Sequence, residues 1–570
     1  MRERLLGQVR ARLRRCTIDG DPTAVLAPEA LIEVAALLET VSSPAEDLEI
    51  AHTAGLLYWV RCLSSNDQRD FSTALDLLAP VYQVRPGMVP DQVQAIFDEH
   101  GPGTFETAPL ETAPLWTARA VGLLEDAMRA GDPAALDTAI DLFQQAVEVT
   151  PVDHPDRVVR LGNLSAALQF RFERRGQADD LNALIDLRHQ TVRAAPIDHP
   201  DRPMYLVNLS TALRLRFERT GQPDDLDNAL TAGRDAVATI STDHPHRAWC
   251  LSTLGGALCL QGERTGQLDD LDAAIDVLRQ AVRVAPARDP DRPAYLANLS
   301  ATLQTRFERT GQTDDLNAIS DLLRQALELT PADHPNRPAY LATLSNTLCI
   351  RYGRTGQPDD LDNALTVGRE AVTVTPTDHP HRAWCLSTLG AALRVRFGRT
   401  GQPDDLNAIS DLLRQALELT PAGHPNRPAY LFDLGATLRI RFERTGQIDD
   451  LNTAIDVLQQ AVESPPTDHS NRPAYLVNLS VALQTRFERT GRLEDLNAAI
   501  KAGQNAVATT PTDHPERAQC LSVLGIALRT RFELTGQIDD LNTAIRTSQD
   551  SEETTSTTST TSAAETTPPP

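Results

Sequence analysis

The sequence predicts an all-α fold, an α-solenoid of stacked antiparallel helix pairs. Three observations predict it: a strict repeat, two apolar stripes of helical spacing in each repeat, and a composition rich in helix formers. A segment of the Asp-His-Pro kind returns with its histidine slot at His154, His199, His244, Asp289, His334, His379, His424, His469 and His514. Each step is 45 residues, with no insertion or deletion, and a fixed period of this size marks a solenoid. An arginine follows three residues later in all nine units, at Arg157, Arg202, Arg247, Arg292, Arg337, Arg382, Arg427, Arg472 and Arg517. A glycine closes the first half of each unit, at Gly176, Gly221, Gly266, Gly311, Gly356, Gly401, Gly446, Gly491 and Gly536. Hydrophobic residues make up 41% of the chain but aromatics only 4%, so leucine and alanine, both strong helix formers, carry the apolar pattern.

Residues 290–331 show how one unit is built. Pro290 and Pro293 fall in the first turn of a helix, where a missing N–H costs little. Leu296, Leu299, Leu303 and Phe307 follow at helical spacing and form one stripe. Arg306 and Arg309 sit near the helix end, where cations suit the negative pole, and Gly311 supplies a left-handed stop. Asp314 and Asp315 are expected to open the second helix, as cap and as negative charge at its positive pole. Leu316, Ile319, Leu323, Ala326 and Leu327 form its buried face, and Pro331 ends it. The first helix should run for about 20 residues, ~30 Å, and the second for about 15, ~22 Å. Neither can bury its stripe alone, so neighbouring units must stack. Ile319-Ser320 and Ile409-Ser410 depart from the Ala-Ile pair of other second helices, so altered packing is expected there.

The second helix, as in Ala274-Ile275-Asp276-Val277-Leu278-Arg279-Gln280-Ala281-Val282 followed by Pro286, resembles the second half of a tetratricopeptide (TPR) motif. The first helix carries the matching leucine and small residue in Leu254-Gly255, Leu299-Ser300 and Leu389-Gly390. A TPR unit is usually 34 residues, so this one is longer by about a helical turn and by its connections. The His-Pro opening resembles the longer repeats of kinesin light chains. The whole unit resembles the arrays of actinobacterial and fungal proteins that end in a caspase-like (CHAT) peptidase domain. The resemblance implies a protein-binding array whose first helices line a concave groove. It also implies an alternative role, as the regulatory or sensor subunit of an effector such as a caspase-like peptidase encoded separately.

The repeat extends upstream. Gly131 lies one period before Gly176, which makes residues 107–151 a tenth, divergent unit, and residues 47–86 read as another. Helices are expected over residues 2–15 and 28–41, and a loop over 100–114. The chain therefore divides into an N-terminal helical cap with one divergent unit (1–106), the repeat array (107–548) and a Ser/Thr/Pro-rich tail expected to be disordered (549–570).

The net charge of −24 and pI near 5.0 make nucleic acid an unexpected partner, because an acidic surface repels phosphates. The seven cysteines form no CxxC pair, the start lacks the apolar core of a signal peptide, and no apolar run reaches membrane-spanning length. A cytoplasmic protein without membrane contact is expected; oligomeric state is open. The arginines of the first segment, Arg10, Arg12, Arg14 and Arg15, read as a solvated helix face. No phosphate-binding loop, HExxH or GxSxG signature occurs, so no enzyme and no cofactor are expected. Cys250, Cys385 and Cys520 share a slot with Tyr205, Tyr295, Tyr340, Tyr430 and Tyr475, which marks it as a packing position rather than a nucleophile. Successive repeat histidines should lie ~10 Å or more apart, too far to share a metal, so they are expected to shape the start of the first helix. The arginine of that first turn opposes the helix dipole and should be held by the carbonyl end of the preceding second helix or by a neighbouring aspartate.

Two slots on the first helix vary while the stripe does not. The first reads Asn163, Asn208, Thr253, Asn298, Thr343, Thr388, Asp433, Asn478 and Val523. The second reads Gln169, Arg214, Cys259, Gln304, Cys349, Arg394, Arg439, Gln484 and Arg529. By the TPR resemblance both face the groove. Asn and Gln match a peptide backbone, and Arg grips carboxylates with two prongs, so a peptide or protein segment of acidic character is the expected ligand.

Overall fold

The structure is a computed structural model that describes residues 2–41, 43, 47–65, 68–100, 109–464, 471–512, 514 and 516–564. All described regular structure is helical. The chain divides into two compact units, Met1–Tyr205 and Leu206–Pro570.

Unit one begins with α1 (Arg2–Thr17), α2 (Thr23–Leu26) and α3 (Pro28–Leu38), which pack with α4 (Leu48–Ser65) around Val9, Val25, Val34, Leu37, Ile50 and Leu57. α5 (Gln68–Val84) pairs with α4. A short 3-10 turn and α6 (Asp91–His100) follow, with Phe71, Leu75, Leu78, Val93 and Phe97 in their core. Arg61 is buried and binds Asp70 at 3.1 Å, a pair that ties α4 to α5. α7 (Pro109–Ala130) pairs with α8 (Pro133–Glu148), and α9 (Arg157–Arg175) with α10 (Ala178–Ala194). Helix therefore occupies residues 109–114, part of the span expected as loop; residues 101–108 lie outside the described residues. Pro114 lies inside α7, where it gives up one backbone hydrogen bond, the one a residue at that position would make to the Leu110 carbonyl.

α11 (Arg202–Thr220) is the next first helix. Unit two continues with α12 (Pro223–Thr239), the pairs α13 (Arg247–Thr265) with α14 (Leu268–Val284), α15 (Arg292–Thr310) with α16 (Thr313–Leu329) and α17 (Arg337–Thr355) with α18 (Pro358–Val374), and α19 (Arg382–Thr400). Then come α20 (Pro403–Glu418), α21 (Arg427–Thr445), α22 (Ile448–Glu463), α23 (Arg472–Thr490), α24 (Leu493–Thr509), α25 (Arg517–Thr535) and α26 (Ile538–Ala564). Odd-numbered helices are the first helices of the repeats and even-numbered ones the second. From α12 to α26 successive helices pack on one another, and first helices also touch the next first helix, as α13 does α15, α17 does α19 and α23 does α25. One continuous core runs from Ile275 to Ala454, filled by the stripe leucines of several repeats. Ile319 and Ser320 are both buried, the serine donating to the Leu316 carbonyl at 2.8 Å. The isoleucine takes the preceding alanine slot, so the departure is absorbed.

The closing glycines have φ between 66° and 76°, the left-handed region where a Cβ is penalised. Gly311 N–H donates to the Phe307 carbonyl at 2.7 Å and ends the first helix as expected. The aspartates of the second helix do not cap it. The N-cap of α16 is Gln312, which makes no side-chain bond, and Asp314 and Asp315 lie inside the first turn. Asp315 is needed elsewhere, as described below. Residues 549–564, expected as a disordered tail, continue α26 as helical backbone to Ala564, for no glycine or proline interrupts them. Residues 565–570 lie outside the described residues.

Candidate functional site

Two arginine slots recur along the repeats and hold the helices to one another, the second of them filled by arginine in all repeats but one. The first-turn arginine lies over the carbonyl end of the preceding second helix. Arg292 Nη1 donates to the Val282 and Ala285 carbonyls at 2.6 and 2.8 Å, and Arg337 reaches Leu327 and Thr330 at 2.8 and 3.0 Å. It thereby caps orphan carbonyls and places its cation at a helix C-terminus. The same contact recurs at the other first-turn arginines, from Arg157 to Arg517.

The second arginine is more than a partner for the helix dipole. Arg306 Nη2 and Nε bind Asp315 at 2.6 and 3.1 Å, while its Nη1 reaches back to Asp272 of the previous repeat at 2.6 Å. One guanidinium thus joins both helices of its own unit and the unit before. Equivalent two-pronged clasps join Arg171 to Asp180, Arg216 to Asp225, Arg351 to Asp360, Arg396 to Asp405, Arg441 to Asp450, Arg486 to Asp495 and Arg531 to Asp540. Asn317, Asn407, Asn452 and Asn497 accept the backward bond in later repeats, at 2.9 to 3.3 Å. The exception is the repeat with Gln261 in the arginine slot, where Asp270 rises to partial exposure and takes Thr265 Oγ1 at 2.9 Å. The signal was present in sequence as an Arg nine residues before an Asp, repeated across units.

The repeat histidines have a structural task. His334 Nδ1 accepts the Asn336 N–H at 3.1 Å, and His154, His199, His244, His379, His424 and His514 bond in the same way two residues on. Asp289 Oδ1 accepts from Asp291 N–H at 2.9 Å, which explains why aspartate can stand in this slot. His469 lies outside the described residues. No group of three or more potential metal ligands occurs among the described residues.

Cys250, Cys385 and Cys520 are fully buried in the tyrosine slot. Burial pushes the Cys250 thiol up to about 12, and those of Cys385 and Cys520 upward, so the nucleophilic thiolate is disfavoured. Among the described residues no helix is long and apolar enough to cross a membrane.

The two variable slots lie where successive first helices meet. In unit two, Asn298 Nδ2 donates to Ser252 Oγ at 3.0 Å, from α15 to α13. Gln484 Nε2 reaches the Val523 carbonyl at 3.3 Å, from α23 to α25. Arg394 pairs with Asp433, from α19 to α21. Asn478 instead bonds within its helix, to the Ala474 carbonyl at 3.1 Å. Arg439 pairs with Glu443, and Gln304 binds Glu308 at 2.8 Å, each one turn along. Arg214 and Arg529 stand 3.7 and 3.4 Å from Glu218 and Glu533 in the same way. Asn208 is half-buried, and Thr253, Thr388 and Cys349 are buried. In unit one Asn163 is half-buried and Gln169 binds Glu173 at 2.8 Å. The slots therefore share one face within unit two, but their arginines already have carboxylate neighbours. Sequence reasoning missed that row of glutamates one turn beyond the second slot.

The chain is an all-α array of paired helices, similar to TPR-like repeat proteins. Among solved structures, human IFIT1 in a dimer with PPP-AAAA is 14% identical, covering 78% of this chain and 94% of that one at a TM-score of 0.35. A Podospora anserina putative kinesin light chain with nearly identical TPR-like repeats is 20% identical, covering 37% of this chain and 95% of that one at 0.28. MamA is 15% identical, covering 38% and 96% at 0.26. No protein-family pattern and no curated protein matches the chain.

Proposed function

We propose that this protein is a non-enzymatic scaffold that binds a peptide or protein segment along the face formed by its first helices. The observation that carries this reading is the contrast within each repeat. The second helix and both arginines are consumed by stacking, whereas the first-helix slots change chemistry from unit to unit at constant backbone. Variable chemistry on a constant frame is what recognition requires. Asn208, Asn298, Asn478, Gln304 and Gln484 supply paired donors and acceptors for a peptide backbone. Arg214, Arg394, Arg439 and Arg529 exchange an intramolecular carboxylate for one on the ligand. The net charge of −24 favours a polypeptide over a long polyanion such as nucleic acid. Seven free cysteines, five of them buried, suit a reducing cytoplasm. The TPR–CHAT resemblance supports a regulatory role for a separately encoded peptidase as the particular use of this face.

The test is selection of a random peptide library on the full-length chain. Enriched peptides are expected to lose binding when Asn208, Asn298, Asn478, Gln304 and Gln484 are changed together to alanine, with the thermal midpoint checked in parallel. A library that yields no enrichment on the folded chain would refute the scaffold reading.

A further inference from the structure

We infer that the edge formed by α17 and α19 is the anchoring point for an acidic stretch of a partner polypeptide, whose backbone passes over Gly353 and Gly398. The inference rests on the scaffold reading above and locates it. Seven first helices carry a glutamate one turn beyond the second slot: Glu173, Glu218, Glu263, Glu308, Glu443, Glu488 and Glu533. The two adjacent exceptions are Gly353 and Gly398.

Packing does not require these glycines. Both are exposed, both lie in the last turn of their helices, and beyond the helix's own backbone and the chain neighbours no atom lies within 4 Å of where a Cβ would stand. A helix-interior glycine costs roughly 0.5–1 kcal/mol against alanine, so something other than the fold accounts for it. A glycine with open space above it lets an incoming backbone come close.

Charge points the same way. α17 and α19 contain no aspartate or glutamate, alone among the nine first helices from α9 to α25. Their arginines that serve the stack are accounted for above, and three remain. Arg354 lies over the Phe307 ring at 5.8 Å, and Arg399 makes no hydrogen bond or ion pair among the described residues. Arg394 lacks a carboxylate one turn on and turns to Asp433 of the next repeat. Asp433 thus holds the place that a ligand carboxylate would take. α17 and α19 pack directly on each other, so their cations lie on neighbouring helices. Three guanidinium groups flanked by acidic repeats fit a short run of Asp or Glu side chains. A nucleic acid would want more phosphate contacts and exposed aromatic platforms.

The experiment uses the full-length chain and a fluorescein-labelled octaglutamate peptide, with octaglutamine and a uridine octanucleotide as comparisons, read by fluorescence anisotropy. Octaglutamate is expected to bind more tightly than octaglutamine and to weaken with added salt. Gly353→Glu with Gly398→Glu installs the residue seven other repeats already carry, so the fold is retained; it is expected to weaken octaglutamate about tenfold or more. Asp433→Asn is expected to tighten it by releasing Arg394. Equal binding of octaglutamate to the wild type and the double glutamate variant would overturn the inference. So would tighter binding of the oligonucleotide than of the peptide. If library-selected peptides still depend on the asparagine and glutamine slots in that event, the scaffold reading stands and only the anchoring point falls.

Discussion

At the scale of the residue, the arginine clasp decides how repeats hold together. Asp315 is only 3% exposed at its side chain, and Arg306 is its two-pronged partner. Arg306→Gln strands that carboxylate and is expected to cost about 2 kcal/mol in urea unfolding. The repeat with Gln261 is the natural counterpart: its Asp270 has already moved toward solvent. Gln261→Arg should restore the clasp and raise stability by about 1 kcal/mol. Arg531 holds the Asp540 carboxyl below the usual carboxylate value of 3.8 by a side-chain hydrogen bond. A lowered folded value means that the clasp stabilises the chain above about pH 4 and fails as pH falls below it. Acid titration of the folded chain followed by circular dichroism should therefore show a loss below that point. In Arg531→Met the part of that loss belonging to Asp540 should be missing. The clasp was not legible from one unit, where Asp315 looked like a cap. Two charges nine residues apart pair only once the chain has turned back at Gly311, a geometry that helical spacing alone does not reveal.

At the scale of the element, the helix boundaries of the regular repeats were legible to within about two residues. They are written in local chemistry: proline and histidine at the start, glycine at φ near 66° at the stop. His334→Asp should keep the turn, as Asp289 does in its own repeat, whereas His334→Ala should cost about 1 kcal/mol, since a turn N–H loses its acceptor. Gly353→Ala acts in the opposite direction. With helical backbone and open space at Cβ, it should stabilise α17 by about 0.5–1 kcal/mol. A differential measurement of amide exchange in the two variants checks both, because each effect should stay within one or two repeats. What sequence did not disclose was the state of the variable slots. In sequence Arg394 and Arg439 look like grips for a ligand carboxylate, yet each finds a carboxylate within the chain, one in the next repeat and one a turn along its own helix. Helical backbone also runs on through residues 549–564, because serine and threonine weaken a helix without ending it.

At the scale of the whole molecule, each repeat of unit two is stabilised through its neighbours and not through distant parts of the chain. The first-turn arginine, the clasp and the leucine stripe all act between adjacent helices, and all recur at one interval. The period of 45 residues was therefore the most informative feature in the sequence, since it predicted both the unit and its boundaries. The direct test is to excise one period. Deleting residues 312–356 removes one second helix and the first helix after it, so that every remaining arginine meets an equivalent carbonyl end. The account expects a folded, fully helical chain whose unfolding slope in denaturant falls in proportion to the surface removed. Deleting 45 residues should be harmless, whereas deleting about half a period, residues 312–333, should leave two helices without partners and lose cooperative unfolding. If both deletions unfolded the chain alike, or both were tolerated alike, the stacked-module account would be wrong.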